Sequence, residues 1–270
     1  MSTGEEIRLA RLFDSGNAVV AAIDHGLYNG PRPGFEDLAA IVDSLAGADA
    51  ILISPGTAGH VASVFRHRGA PAMMVRLNWG TQYATQWGYH ESRSVPMIGA
   101  TGAAALGADV VLVGMSIKTG SEAIDAENVE MVARCVAEKR AAGLPIVGEV
   151  YPAGHEDISP EERHEVISIG CRIVAELGVD LVKTFYTGDR FAEIVRSTPV
   201  PILALGAKKL PNERDALALA ASAVRSGARG VVFGRNLIQA GDTEAFMQAL
   251  RDVVKAGSDP VEAAKRYGIG

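Results

Sequence analysis

Four times along the chain a helix-like stretch stops at a glycine, passes one small and one polar residue, and enters an apolar run. The phrase reads Ala46-Gly47-Ala48-Asp49-Ala50-Ile51-Leu52, then Leu106-Gly107-Ala108-Asp109-Val110-Val111-Leu112, then Leu177-Gly178-Val179-Asp180-Leu181-Val182-Lys183. A looser copy is Ser226-Gly227-Ala228-Arg229-Gly230-Val231-Val232. A glycine can close a helix in the left-handed conformation, and a short continuous apolar run suits a strand buried on both faces. Between the copies lie three runs introduced by proline: Pro71 before Ala72–Leu77, Pro145 before Ile146–Val150, and Pro201 before Ile202–Leu205. Proline lacks an N–H and is tolerated as the first residue of a strand. A further run, Ala18–Ile23, brings the number to eight.

The segments between the runs show helical spacing of apolar residues over Phe35–Leu45, Thr57–Arg68, Glu122–Ala142, Pro160–Leu177, Arg190–Ser197, Asn212–Ser226 and Thr243–Ala256, and more weakly over Ser94–Leu106. Ser159-Pro160-Glu161-Glu162 reads as a helix start, with a capping serine, proline in the first turn and early acids. Strands alternating with helices predict a parallel sheet under helical cover. Eight βα units in 270 residues fit a single (βα)8 TIM barrel over residues 1–270. A doubly wound open sheet is the alternative. It calls for a glycine-rich dinucleotide turn after the first strand, where this chain has Asp24-His25-Gly26.

The formal net charge of −6 gives no general attraction to nucleic acid or to an anionic membrane, so a bound anion requires a local site. Cys135 and Cys171 sit in apolar helical patterns and read as buried thiols. No uncharged apolar stretch reaches 18 residues, and Met1–Asp14 holds Glu5 and Glu6 without a long apolar run. A cytoplasmic protein without a signal peptide or membrane span is therefore expected. The six histidines lack metal-ligand spacing, so neither a metal nor another cofactor is expected.

In a barrel of this kind the active site lies at the C-terminal ends of the strands. The first run ends at Asp24-His25, the third carries Arg76 and Asn78, and the fifth ends Glu149-Val150-Tyr151. Lys183 stands inside the otherwise apolar sixth run, on one face with Leu181 and Phe185. Apolar enclosure would favour a neutral amine able to form a Schiff base with a carbonyl. The plainer reading is an ion-paired strand-end lysine. Imine chemistry needs a proton-transfer group, which Tyr151 could supply, and a carboxylate such as Asp24 to hold the lysine or a substrate hydroxyl. Each of these alone also fits a turn or core residue. The seventh and eighth runs lead into Gly206-Ala207-Lys208-Lys209 and Gly234-Arg235-Asn236. Gly206, Lys208, Gly234 and Arg235 are expected to hold a phosphate, with the glycines letting backbone amides approach it.

These residues resemble the archaeal-type class I fructose-bisphosphate aldolases, a branch of the Schiff-base aldolase barrels, from about Ile7 to about Val254. The motifs that carry the resemblance are Asp24-His25-Gly26 with Gly30-Pro31, Leu77-Asn78, Gly120-Ser121-Glu122, Tyr151-Pro152-Ala153-Gly154, Val182-Lys183-Thr184-Phe185-Tyr186-Thr187-Gly188-Asp189 and Gly234-Arg235-Asn236. The resemblance implies a metal-independent lyase in which Lys183 forms the Schiff base, Tyr151 donates the proton and Asp24 is the acid at the active lysine. It also implies that Gly206, Lys208, Gly234 and Arg235 bind phosphate. The expected partners are a phosphorylated keto substrate such as dihydroxyacetone phosphate, an aldehyde, and further copies of the chain. Four departures stand out: Ala153 replaces the family's arginine, Leu205-Gly206-Ala207-Lys208 replaces Gly-Gly-Pro-Lys, Glu149 replaces a common tryptophan, and Arg76 replaces a common lysine. Glu149 adds an acid to the pocket, beside Arg76, Asn78 and His25. The departures bear on the substrate more than on the imine. The same lineage includes synthases of heptulosonate-type precursors and a thiolase acting on a phosphorylated diketone. A barrel that binds sugar phosphate without catalysis is a further alternative. The aromatic stretch Trp79–His90 is read as either a subunit contact or packed loop, or a lid.

Overall fold

The computed structural model describes every residue except His90 and Glu156. Eight parallel strands close into a barrel in the order β1-β10-β9-β8-β7-β6-β3-β2. They are β1 (Ala18–Ala22), β2 (Ala50–Ile53), β3 (Ala72–Arg76), β6 (Val110–Met115), β7 (Ile146–Val150), β8 (Leu181–Phe185), β9 (Ile202–Leu205) and β10 (Gly230–Phe233). The two remaining strands, β4 (Asn78–Gly80) and β5 (Ser94–Pro96), pair antiparallel as a small ribbon above β3. All eight apolar runs are barrel strands, and the chain is a (βα)8 TIM barrel.

Three of the four phrase glycines, Gly107, Gly178 and Gly227, take φ near +100° and end their helices. Gly47 does not; Met247 and Arg251 pack over the place of its missing side chain. The aspartate of the phrase has its own task. Asp49, Asp109 and Asp180 accept the backbone N–H of Val19, Met73 and Ile146 at 2.7, 3.0 and 2.7 Å, each at the start of a neighbouring strand.

Helices Glu122–Ala142, Pro160–Leu177 and Thr243–Ala256 run as predicted, and Ser159 caps its helix through Glu162 N–H at 3.1 Å. Three predicted helices are corrected. Residues 57–68 form no α-helix but follow one short 3-10 turn, Pro55–Thr57, and contain another, Ala62–Phe65, because Gly56, Gly59 and several β-branched residues weaken helix propagation. Of 35–45 only Leu38–Ile41 is α-helical, continuing as a 3-10 turn to Leu45. The segment 94–106 starts as β5 and becomes helical only at Ala100, beyond Pro96 and Gly99.

Two apolar layers result. Between strands and helices lies the larger core, which contains both cysteines as free, buried thiols. Inside the barrel Val20, Leu52, Met74, Leu112, Val147, Leu181, Leu203 and Val232 form a second, closed cluster. An N-terminal helix not anticipated from the sequence, Thr3–Leu12, puts Leu12 and Leu9 against the lower end of that cluster. Lys139, 3% exposed, clamps this helix to the barrel by pairing with Glu5 at 2.8 Å and Asp180 at 2.6 Å. Among the described residues no helix is long and apolar enough to cross a membrane.

Candidate active site

Side chains alternate along a strand, so the next inward position lies two residues beyond each member of the inner cluster. Those positions are Ala22, Ser54, Arg76, Gly114, Glu149, Lys183, Leu205 and Gly234. One step up the barrel, Arg76, Glu149 and Lys183 thus bring charge into an otherwise apolar or small-residue pattern. Six of these positions, all but Ser54 and Gly114, line a cavity of about 480 Å³ at the C-terminal mouth.

Glu149 and Lys183 are register partners on β7 and β8. Their side chains meet at 2.6 Å between Oε1 and Nζ, with the lysine 6% and the glutamate 2% exposed. Arg76, fully enclosed, gives Nη2 to Glu149 Oε2 at 2.7 Å and Nε to Asp24 Oδ2 at 2.5 Å. The Tyr83 and Tyr28 rings lie 4.8 and 5.3 Å from its guanidinium carbon, a cation–π arrangement. The expected apolar enclosure of Lys183 is corrected: the lysine is buried but ion-paired, because the adjacent strand delivers Glu149 at the same height. The acid in contact with Lys183 is Glu149, while Asp24 is held by Arg76 and acts on the lysine at longer range.

Electrostatics fix the charges. Burial alone would raise the Glu149 carboxyl, but Arg76 and then Lys183 outweigh it and hold the group down to about 2. Asp24 is likewise lowered against its burial, by Arg76 and Lys183. His25 is pushed down to about 4, first by burial and then by Arg235, Lys183 and Arg76, against the pull of Asp24. It is therefore a neutral imidazole near pH 7. Burial pushes the Tyr28 and Tyr83 phenols well above 10.

Tyr151 lines the same cavity, its hydroxyl 3.2 Å from His155 Nε2 and its ring against Tyr83 and Phe185. Lys208, Lys209, Arg235 and Arg32 also line it. The two predicted glycines do different work. Gly206 donates its N–H to Val232 at 3.1 Å, so this amide belongs to the sheet and is not turned to a ligand. Its missing Cβ makes room for the Phe233 ring, at 2.8 Å. Gly234 lets the loop pass over His25 and the Ala22 carbonyl, where a Cβ would collide. Asn78 is corrected as a cavity residue. Its carboxamide is buried and spent on Gly114, donating to the carbonyl at 2.9 Å and accepting the N–H at 2.8 Å.

Two residues outside the expected set complete the site. Asn236 donates to the carbonyls of Gly206 (2.7 Å) and Lys208 (3.0 Å) and accepts from Leu210 N–H (2.8 Å), welding the loops after β9 and β10 together. Ala207, between them, stands at φ +53°, an unusual conformation for a residue with a Cβ. Tyr83 reaches in from the aromatic loop and donates to Glu149 Oε2 at 2.8 Å. That loop divides: Tyr83, Thr85 and Gln86 line the cavity, whereas Trp87 and Tyr89 stack on each other at the surface, 62% and 50% exposed. His90, at its end, lies outside the described residues. Among the described residues no group of three or more His, Cys, Asp or Glu is placed to hold a metal ion.

The profile of the DeoC/LacD family of aldolases matches residues 18–240. An uncharacterized aldolase of Saccharolobus solfataricus is 30% identical over 97% of this chain and 98% of its own. The 3-hydroxy-5-phosphonooxypentane-2,4-dione thiolase of Escherichia coli is 31% identical over 98% of this chain and 87% of its own. Among solved structures, an archaeal fructose-1,6-bisphosphate aldolase, with its catalytic lysine covalently bound to the carbinolamine intermediate of its substrate, superposes with a TM-score of 0.79. It is 28% identical, over 92% of this chain and 98% of that one.

Proposed function

We propose, from the premise that this chain belongs to the DeoC/LacD family of aldolases, that it makes or cleaves a C–C bond in a phosphorylated ketose through a Schiff base on Lys183. The observation that carries this reading is a buried lysine amine 2.6 Å from a carboxylate, in a cavity also lined by Lys208 and Arg235. Such an amine is a nucleophile once its proton is lost, and Glu149, a charged carboxylate in contact with Nζ, orients it for attack. Attack on the ketone carbon gives a carbinolamine, which loses water to give an iminium. In cleavage the C–C electron pair moves into the iminium to form an enamine, and Tyr151 takes the proton of the departing hydroxyl as the aldehyde leaves. Tyr151 then returns a proton to the enamine carbon, and water hydrolyses the iminium to free the ketone and the lysine. Asp24 and Arg76 hold the electrostatic frame, while Lys208 and Arg235 take the phosphate, with dihydroxyacetone phosphate the expected donor. An aldehyde is the second partner, and Lys183 carries the chemistry without a cofactor.

Borohydride added with dihydroxyacetone phosphate is expected to leave a reduced adduct on Lys183, read by peptide mass spectrometry. Lys183→Met is expected to lose at least about 10³-fold in turnover, the scale of losing a covalent nucleophile. An unmodified Lys183 in the wild type would remove this donor from the reading. A second reading, acyl transfer on a phosphorylated diketone, is favoured by the thiolase relative, 31% identical over nearly the whole chain. Acetyl-CoA formation from a phosphorylated diketone and coenzyme A, without ketose cleavage, would select it.

A further inference from the structure

Gly114 and Glu149 are register partners on β6 and β7, so the position beside Glu149 on the barrel wall has no side chain. The Tyr83 hydroxyl fills that notch, and a Cβ on Gly114 would fall on it. Tyr83 is not a barrel residue. It ends the 3-10 turn Thr81–Tyr83, in the connection between β4 and β5. Yet it is only 8% exposed, and its hydroxyl donates to Glu149 Oε2 at 2.8 Å. The two carboxylate oxygens are thereby divided: Oε1 meets Lys183, and Oε2 meets Arg76 and Tyr83. The Tyr83 ring also packs on Tyr28, Tyr151 and the Arg76 guanidinium, Thr81 is tied to Glu91 and Arg93, and at the mouth Asn29 donates to the Tyr83 carbonyl at 3.3 Å and Arg32 to Gln86 at 3.3 Å.

We propose that Tyr83 is a positioning residue that latches the loop of residues 81–89 to the reactive lysine through Glu149. With the loop seated, the carboxylate has donors on both oxygens and one orientation, which keeps Oε1 in line with Nζ. With the loop withdrawn, Oε2 keeps Arg76 alone, the notch over Gly114 opens, and the Lys183 contact loses its fixed geometry. Lysine activation is then tied to a closed mouth, so the amine is set for attack when water is excluded. Coupling between two sites is reciprocal: a change at Glu149, on the barrel wall, must be felt in the loop.

The inference rests on the aldolase reading only for its kinetic arm. Amide hydrogen exchange of peptides covering residues 79–89 is measured in the wild type, Tyr83→Phe, Glu149→Gln and Gly114→Ala, each first shown to be folded. Exchange is expected to rise about tenfold or more in all three variants, the scale of losing one buried hydrogen bond to a charged group. In borohydride trapping, Tyr83→Phe is expected to slow adduct formation at saturating donor by about tenfold, with the half-saturating donor concentration unchanged. Unchanged loop exchange in Glu149→Gln would overturn the latch, as would wild-type trapping by Tyr83→Phe. No trapping in the wild type would instead count against the aldolase reading and leave the exchange result to decide the latch.

Discussion

A carboxylate enclosed in protein stays charged only where cations face it, and Glu149 meets Arg76 and Lys183 at 2.7 and 2.6 Å. Its folded value of about 2, against an ordinary 4.5, stabilises the fold above pH 4.5, and that contribution is lost as pH falls through about 2. His25 acts in a higher window. Its folded value of about 4, against 6.5, means that the unfolded chain binds the proton first. Its contribution is whole above pH 6.5 and drains away as pH falls toward 4. The melting temperature is therefore expected to decline from pH 6.5 to 4, and His25→Gln is expected to flatten that arm while leaving the fall below pH 4.5. An unchanged slope in the variant would reassign the titration. Glu149→Ala is expected to cost about 3 kcal/mol or more in chemical denaturation, because it leaves buried Lys183 without a contacting carboxylate and Arg76 with Asp24 alone. The sequence places Lys183, Arg76, Glu149 and Asp24 at strand ends, but not which charge meets which. That pairing is a matter of register, and Glu149 lies 34 residues from its partner. Nor could local sequence show that Asn78 would be spent on a backbone.

The recurring Gly-x-Asp phrase marks the starts of strands because each part has a mechanical role. Glycine turns the chain out of the helix, and aspartate takes an N–H at the start of a neighbouring strand. Where that aspartate is removed, a donor loses its acceptor at the barrel base, far from the mouth. Asp109→Ala is therefore expected to lower stability by about 1–3 kcal/mol while leaving turnover within about twofold. A large loss of turnover in a fully folded variant would contradict this division of labour. Long capped elements were legible for the same mechanical reason: helices 122–142 and 160–177 have a serine at the start, a glycine at the end and an uninterrupted run between. Residues 57–68 were not, since spacing alone suggests a helix while Gly59 and the β-branched residues resist one. The N-terminal helix was legible in principle, from the capping pair Ser2 and Glu5. Tyr83 was visible only as one ring in an aromatic stretch, because its meaning depends on Gly114, on a different strand.

Over the whole molecule, a chain of net charge −6 gathers Arg32, Lys208, Lys209 and Arg235 around one opening, while Arg76 and Lys183 are matched by Asp24 and Glu149. An anion is thus expected at the mouth and not at the surface at large. Inorganic phosphate at about a hundred times its Kd is expected to add about 2.7 kcal/mol to stability. Lys208→Ala combined with Arg235→Ala is expected to abolish that gain in thermal shift. A persisting shift would move the anion elsewhere. The closed inner cluster below the charged layer, with the N-terminal helix against its lower end, has a kinetic counterpart. A barrel packed solid beneath its reactive lysine is a pocket with one door, and traffic through one door is a stack. On the aldolase reading the ketone partner, bonded to Lys183 at the floor, arrives first and departs last, and the aldehyde comes and goes above it. Product inhibition is expected to follow that order, with the ketone phosphate competing with the ketose for the bare enzyme and the aldehyde competing for neither.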